Sequence, residues 1–360
     1  MVQGNVFMNR FTRVGIAVLY LLSGITGIAI ADVNAETPPG LMVDIGTHRM
    51  HILCKGEGQP TVIMDAGLGG VSLEWVHAQN LLRDRVRVCA YDRTGYGWSD
   101  AGPMPRTSSR NADELFLLLQ QARIPGPYVL VGHSYGGYNM QLFARRHQDI
   151  TAALVLVDAS HPDQLARFEA PPIGINMMPD NRGTMMGYLM PTISTNLPEE
   201  LKPTVQRQLL NPKTRVAAGS EYLNFRKSAA QVREERPLPE LPVVVVTRGK
   251  RAWPETKLGD QMEQLWLDLQ TELAAASPRS AHIIAENSGH HVHLDQPELV
   301  ADAIALVIEV TITCCQWSPG GLFITSRENK SIQKPLKNAT WRSNHLGNHL
   351  PTDLPAFVWF

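Results

Sequence analysis

An excess of charge of either sign is missing from this chain: 33 Lys and Arg stand against 34 Asp and Glu, for a formal net charge of −1. Without such an excess, and without a long run of like charge, there is no electrostatic case for nucleic acid or another polyanion as partner. Charged residues make up only 19% of the chain and hydrophobic ones 44%, which argues against overall disorder and is ample for a large core. No internal repeat appears. A P-loop is absent too, because the glycine-rich run Asp65-Ala66-Gly67-Leu68-Gly69-Gly70 lacks the Lys-Ser/Thr that a phosphate cradle needs. His290, His291 and His293 lie close to Asp295, but no second ligand cluster accompanies them, so a metal site is disfavoured and His291 and His293 read as packing. Cysteine is scarce. Of the four, Cys314 and Cys315 are adjacent and are not expected to bridge each other.

What is present centres on Gly132-His133-Ser134-Tyr135-Gly136-Gly137, directly behind the apolar run Tyr128 to Val131. A strand that ends in Gly-x-Ser-x-Gly and turns straight into a helix raises the serine above the sheet edge. The following helix, Tyr138 to His147, places Met140, Phe143, Ala144 and His147 on one face. Ser134 is therefore a candidate nucleophile on an elbow.

At these residues the chain resembles the α/β-hydrolase fold family, in its serine-nucleophile, lidded esterase or lipase-like branch, over about residues 40 to 310. The resemblance implies a mostly parallel eight-stranded sheet flanked by helices, with a helical lid between strands 6 and 7. Residues 40–160 and 241–310 are expected to form that core and residues 161–240 the lid or cap.

The N-terminus carries Arg10 and Arg13, then an apolar stretch from Val14 to Ala31 ending in Ala29-Ile30-Ala31. That order reads as a secretory signal peptide cleaved before Asp32. The stretch is also near the minimum for spanning a bilayer, so residues 1–31 are expected to be a signal peptide or an N-terminal membrane anchor. Both place the rest of the chain outside the cytoplasm, in the periplasm or secreted.

Met42 to Ile45 and Arg49 to Leu53 predict a first hairpin turning at Gly46-Thr47. The strand Thr61 to Met64 then opens into the glycine-rich loop, whose backbone N–H groups suit an oxyanion site. Family members usually carry His-Gly there, and this chain has Ala66-Gly67. By position the oxyanion donors are the amides of Leu68 and Tyr135. After a strand from Arg85 to Ala90, the turn Asp92-Arg93-Thr94-Gly95-Tyr96-Gly97-Trp98-Ser99 matches a family loop, and Asp92 and Arg93 are expected to pair and fix it. A helix from Asn111 to Ala122 presents Leu115, Leu118, Leu119 and Ala122 on one face.

Ala153 to Val157 predicts a buried strand that delivers Asp158 at its carboxyl end, where ligands and catalytic groups gather in parallel sheets. The segment from His161 to Glu240 leaves the strand–helix rhythm and clusters Met177, Met178, Met185, Met186 and Met190. Such side chains suit a cap over apolar substrates of varied shape, or only fill the segment's own small core. Leu241 to Val246 resumes the sheet, Gln261 to Ala275 is a helix with Met262, Leu265, Trp266, Leu269 and Leu273 inward, and Ala281 to Ala285 is the last strand. Gly289-His290, followed by Asp295 and by Pro297 opening a helix to Glu309, matches the segment that carries the family's base. His290 is the matching residue. From about Thr311 to Phe360 no period is sustained, and residues 311–360 are expected to be an irregular tail.

The third member departs from the family's usual form. No aspartate follows the strand at Val246; the loop there reads Thr247-Arg248-Gly249-Lys250-Arg251-Ala252-Trp253-Pro254-Glu255. Asp158 is the first candidate acid and Glu255 the second. A serine needs a base with a pKa near the operating pH, and imidazole held by a carboxylate supplies it. The resemblance thus implies a small-molecule acyl substrate, a carboxylic ester first, cleaved through an acyl-enzyme on Ser134 with His290 as base and no cofactor. A cofactor-free haloperoxidase-like enzyme, a C–C bond hydrolase and a non-catalytic ligand-binding scaffold are the alternatives. In the family's sheet order Cys54 and Cys89 fall on neighbouring strands, and both a disulfide and two buried thiols stay open.

Overall fold

The computed structural model describes residues 37–174, 193–315 and 339–343. The expected leader or anchor at residues 1–31, the five clustered methionines and most of the expected tail lie outside the described residues.

Period-two alternation of apolar residues explains the layering. The strands run β1 (Leu41–Asp44), β2 (Arg49–Lys55), β3 (Thr61–Asp65), β4 (Val88–Tyr91), β5 (Tyr128–His133), β6 (Thr151–Val157), β7 (Val243–Arg248), β8 (Arg279–Ala285) and β9 (Ala339–Ser343). Ile63, Cys89, Leu130, Leu154, Leu156 and Val245 face one way. Val62, Val88, Val129, Val131, Val155, Val157 and Val244 face the other. Because both faces are apolar, helices cover both, as a parallel sheet requires.

The first face is covered by α2 (Ser108–Gln121) and α3 (Gly136–Arg146), through Leu115, Leu118, Met140 and Phe143. The second is covered by α1 (Val76–Leu82) and by α10 (Pro297–Cys315), through Ala78, Leu82, Val300, Ile304 and Val307. His147, expected on the buried face of α3, instead ends that helix, half-buried and stacked on the Phe116 ring at 4.0 Å.

The sheet order is β1-β2-β4-β3-β5-β6-β7-β8-β9. From β4 through β8 all neighbours are parallel, while β1 and β2 run antiparallel at one edge and β9 at the other. The expected eight strands are thus present, and β9 adds a ninth from within the segment expected to be irregular. α10 likewise extends six residues past Glu309. Cys54 and Cys89 stand opposite each other in the β2–β4 register and form a disulfide.

Between β6 and β7 the chain forms α4 (Gln164–Glu169), α5 (Lys202–Leu210), α6 (Pro212–Leu223) and α7 (Phe225–Glu234). Beyond β7, α8 (Lys257–Ala275) and the single turn α9 (Val292–Asp295) complete the described helices. The parallel strands all end on one side. There they deliver Asp65, Ser134, Asp158, Arg248 and the loop carrying His290, which is where ligands bind in open α/β sheets.

Candidate active site

Ser134 follows β5 with φ of +50°, and Asp158 follows β6 with φ of +40°. Such left-handed backbone is costly for residues other than glycine and persists only where surrounding contacts impose it. Here the two turns are laced together: Ser134 N–H donates to Val157 O at 3.2 Å, and Ser160 N–H donates to Ser134 O at 3.0 Å. Close approach explains the second glycine of α3. A Cβ on Gly137 would lie 2.6 Å from the Ala159 Cβ, so the elbow helix sits against the turn that holds Asp158.

The imidazole of His290 donates from Nδ1 to Asp158 Oδ2 at 2.6 Å. The other carboxylate oxygen, Oδ1, accepts from Trp266 Nε1 at 2.8 Å and from the Arg248 backbone N–H at 3.2 Å. The Arg248 guanidinium lies 3.8 Å from the same oxygen and is stacked between the Trp253 and Trp266 rings, at 4.9 and 5.2 Å from their centroids. It also donates to Glu263 at 2.9 Å. Asp158 is fully buried, whereas the His290 side chain is 42% exposed, so the pair has one end in the core and one open to solvent. Glu255, the other candidate acid, is exposed on the loop before α8.

Within the elbow Ser134 is the residue left partly accessible. His133 is buried beneath it and donates from Nε2 to the His290 carbonyl at 2.9 Å, which ties the serine turn to the histidine loop. Burial, and then the neighbouring His293, His290 and His291, hold the His133 imidazole well below its usual pKa. His293 is also buried, its ring 4.4 Å from that of Trp75 and 4.5 Å from that of His133, and burial lowers its pKa strongly. Among the described residues no group of three or more His, Cys, Asp or Glu converges as a metal site. Beside His293, 4.0 Å from its Nε2, lies Glu74, whose carboxyl burial pushes up to about 7.

The glycine-rich loop reaches the serine through Gly67: a Cβ there would lie 3.2 Å from Ser134 Cβ and 2.9 Å from His133 Nδ1. Among the described residues, neither the Leu68 nor the Tyr135 backbone N–H donates to a protein acceptor.

The expected Asp92–Arg93 pair does not form. Asp92 accepts from His51 Nδ1 at 2.8 Å and from the backbone N–H groups of Ser72 and Trp98 at 2.7 and 3.1 Å. These donors hold it ionised against the effect of its burial. Arg93 turns the other way and spends its five N–H groups on Asp65, Ala66 O, Gly67 O and Glu221. The sequence reading missed Trp266 and Arg248 as partners of Asp158, and missed Glu221. Trp266 was visible as an inward helix residue, though nothing in the periodicity says that its indole N–H meets a carboxylate.

An α/β-hydrolase family model matches residues 62–303, and the chain belongs to that family. It is 27% identical over 263 residues to an uncharacterised protein, YqjL, of Bacillus subtilis, covering 73% of this chain and 87% of that one. It spans less than half the length of several other relatives that it matches. Among solved structures, a thermophilic esterase from Thermogutta terrifontis superposes with a TM-score of 0.55 at 23% identity, covering 76% of this chain and 99% of that one. Epoxide hydrolases of this superfamily from hot-environment metagenomes give 0.60 at 19% identity, covering 76% and 99%. At these identities the likeness of structure concerns the fold. Among the described residues no helix is long and apolar enough to cross a membrane.

Proposed function

We propose that this chain is a serine hydrolase that cleaves a carboxylic ester through an acyl-enzyme on Ser134. The observation that carries the reading is the 2.6 Å contact from His290 Nδ1 to a buried Asp158, beside a serine held at φ of +50° on the elbow. Because Asp158 accepts the hydrogen bond from Nδ1–H and so fixes the tautomer, Nε2 is the nitrogen left to accept the Ser134 proton during attack and to return it to the leaving alcohol. The Leu68 and Tyr135 amides then stabilise the charge that develops on the carbonyl oxygen. Water repeats the sequence on the acyl-enzyme and releases the acid.

A serine at the elbow, where the epoxide-opening branch of the fold uses a carboxylate, favours acyl transfer over epoxide hydrolysis. Residues 161–240 act as the lid that shapes the acyl pocket. The chain is exported: the basic and then apolar leader and the Cys54–Cys89 disulfide both suit an oxidising compartment. The test is hydrolysis of short and medium p-nitrophenyl esters together with labelling by a fluorophosphonate. Wild type should turn over and label at Ser134, and Ser134→Ala should do neither. A wild-type protein that is folded yet inert in both assays would be a binding scaffold instead.

A further inference from the structure

Arg93 is 2% exposed, and each of its five N–H groups has an acceptor. Nη1 donates to Asp65 Oδ1 and to Ala66 O, both at 2.6 Å. Nη2 donates to Gly67 O at 2.8 Å and to Glu221 Oε2 at 3.0 Å, and Nε donates to Glu221 Oε1 at 2.9 Å. Burial opposes the guanidinium charge, but the Glu221 and Asp65 carboxylates outweigh it and keep Arg93 fully protonated.

The two carbonyls are the informative partners. In a trans peptide the C=O and N–H of one unit point in opposite directions. The carbonyl of Gly67 shares its peptide with the N–H of Leu68, so a cation that grips Gly67 O aims the Leu68 N–H the opposite way. Charge-assisted contacts are among the stronger hydrogen bonds, and they also polarise the peptide, which makes its N–H a better donor. Glu221 lies on α6, within the segment between β6 and β7, while Arg93, Asp65 and Gly67 belong to the core. The same carboxylate accepts from Tyr96 Oη at 2.6 Å and Asn111 Nδ2 at 2.9 Å, and α6 is further pinned by Lys213 Nζ donating to Ser99 O at 2.6 Å.

We infer that Arg93 is a positioning residue that sets the Gly67–Leu68 peptide as an oxyanion donor, and that Glu221 couples this setting to the docking of α6. The inference rests on the serine-hydrolase reading above. An inserted helix that leaves its seat would take away two of the five acceptors of Arg93, so the guanidinium would hold Gly67 O less firmly and leave more of that task to the Gly70 N–H, which donates to the same oxygen at 3.1 Å. The site is then fully armed only while α6 is docked.

The test compares wild type with Glu221→Gln, which is isosteric, and Arg93→Lys, which keeps the charge but not the fork. Active sites are counted by phosphonate titration, so that lost folded protein does not pass for lost catalysis. We expect kcat per titrated site to fall tenfold or more in Glu221→Gln, and further in Arg93→Lys, with KM within about twofold. Affinity for a trifluoromethyl ketone, which forms a tetrahedral adduct on the serine, should fall in proportion to kcat/KM. A role confined to stability lowers the thermal midpoint and the titrated fraction while leaving kcat per site and adduct affinity within twofold of wild type. That outcome in Glu221→Gln overturns the inference even if Arg93→Lys fails to fold. If wild type hydrolyses esters and labels at Ser134, only this inference is lost by such a result. If wild type does not label, the serine-hydrolase reading falls and takes the inference with it.

Discussion

The indole of Trp266 donates to Asp158 Oδ1 at 2.8 Å, so a residue from the buried face of α8 holds the carboxylate that faces His290. A hydrogen bond to a charged group contributes about 1.5–3 kcal/mol. Trp266→Phe keeps most of the ring and removes the donor. We expect it to lower stability by about that amount in urea unfolding, while part of the activity survives because Arg248 N–H still holds the same oxygen.

Removal of the carboxylate itself should be far more severe. Asp158→Asn leaves the shape but presents the wrong partner to Nδ1, and a loss of about 10⁴ in kcat is the expected scale for such a change in a triad. Glu255→Gln should leave ester turnover within twofold. Steady-state kinetics on the two variants separates the candidate acids, and a collapse in the second would transfer the role to Glu255.

Gly67 leaves no room for a side chain between the glycine-rich loop and the elbow. Gly67→Ala must push the loop away from Ser134 or turn His133. Loss of one oxyanion donor costs roughly 10²–10³ in kcat, so a fall of at least tenfold is expected here with little change in KM. A kcat equal to wild type would mean that the loop does not serve the serine.

Two groups behind the site, the buried His293 and the mostly covered Glu74, make opposite predictions about pH and stability. His293 has a folded pKa far below its unfolded value near 6.5, so the unfolded chain takes up the proton first. Its contribution is complete above about pH 6.5 and is lost as the pH falls below that. The Glu74 carboxyl is raised from 4.5 to about 7, so its contribution is present below about 4.5 and lost as the pH rises through 7. Between about pH 4.5 and 6.5 the two slopes oppose each other, so thermal midpoints there should fall more with rising pH in His293→Phe than in wild type, and rise more with rising pH in Glu74→Gln. Parallel curves for all three proteins would remove both assignments.

The parts of the site that could be read in the sequence are those with a local signature. The elbow announces itself through a strand, a spaced pair of glycines and a helix, all within twenty residues, and His290 through Gly-His with a following helix. Asp158 and Glu255 could only be ranked, because spacing along the chain does not say which loop acid reaches a histidine in another loop. Arg93 was misjudged for a different reason. Its neighbour Asp92 is consumed by His51 and by the backbone of Ser72 and Trp98, and the two side chains of an adjacent pair serve opposite sides of the turn. Glu221 could not be found at all, since a glutamate in the last turn of a helix looks like a solvated face until the fold buries it beside Arg93.

The Cys54–Cys89 bridge bears on how the fold comes apart. It joins the antiparallel β1–β2 hairpin to β4, inside the parallel sheet, at directly opposed residues. An edge hairpin is ordinarily the first unit to open, with an opening free energy well below the global value. Covalently tied to a core strand, it cannot drift away alone, so slow exchange of the amide hydrogens of Ile52 and Leu53 should report whole-molecule unfolding when the bridge is intact. In a reducing medium those amides become the sensors of a local, cheaper opening, and the protein gains a second cooperative step.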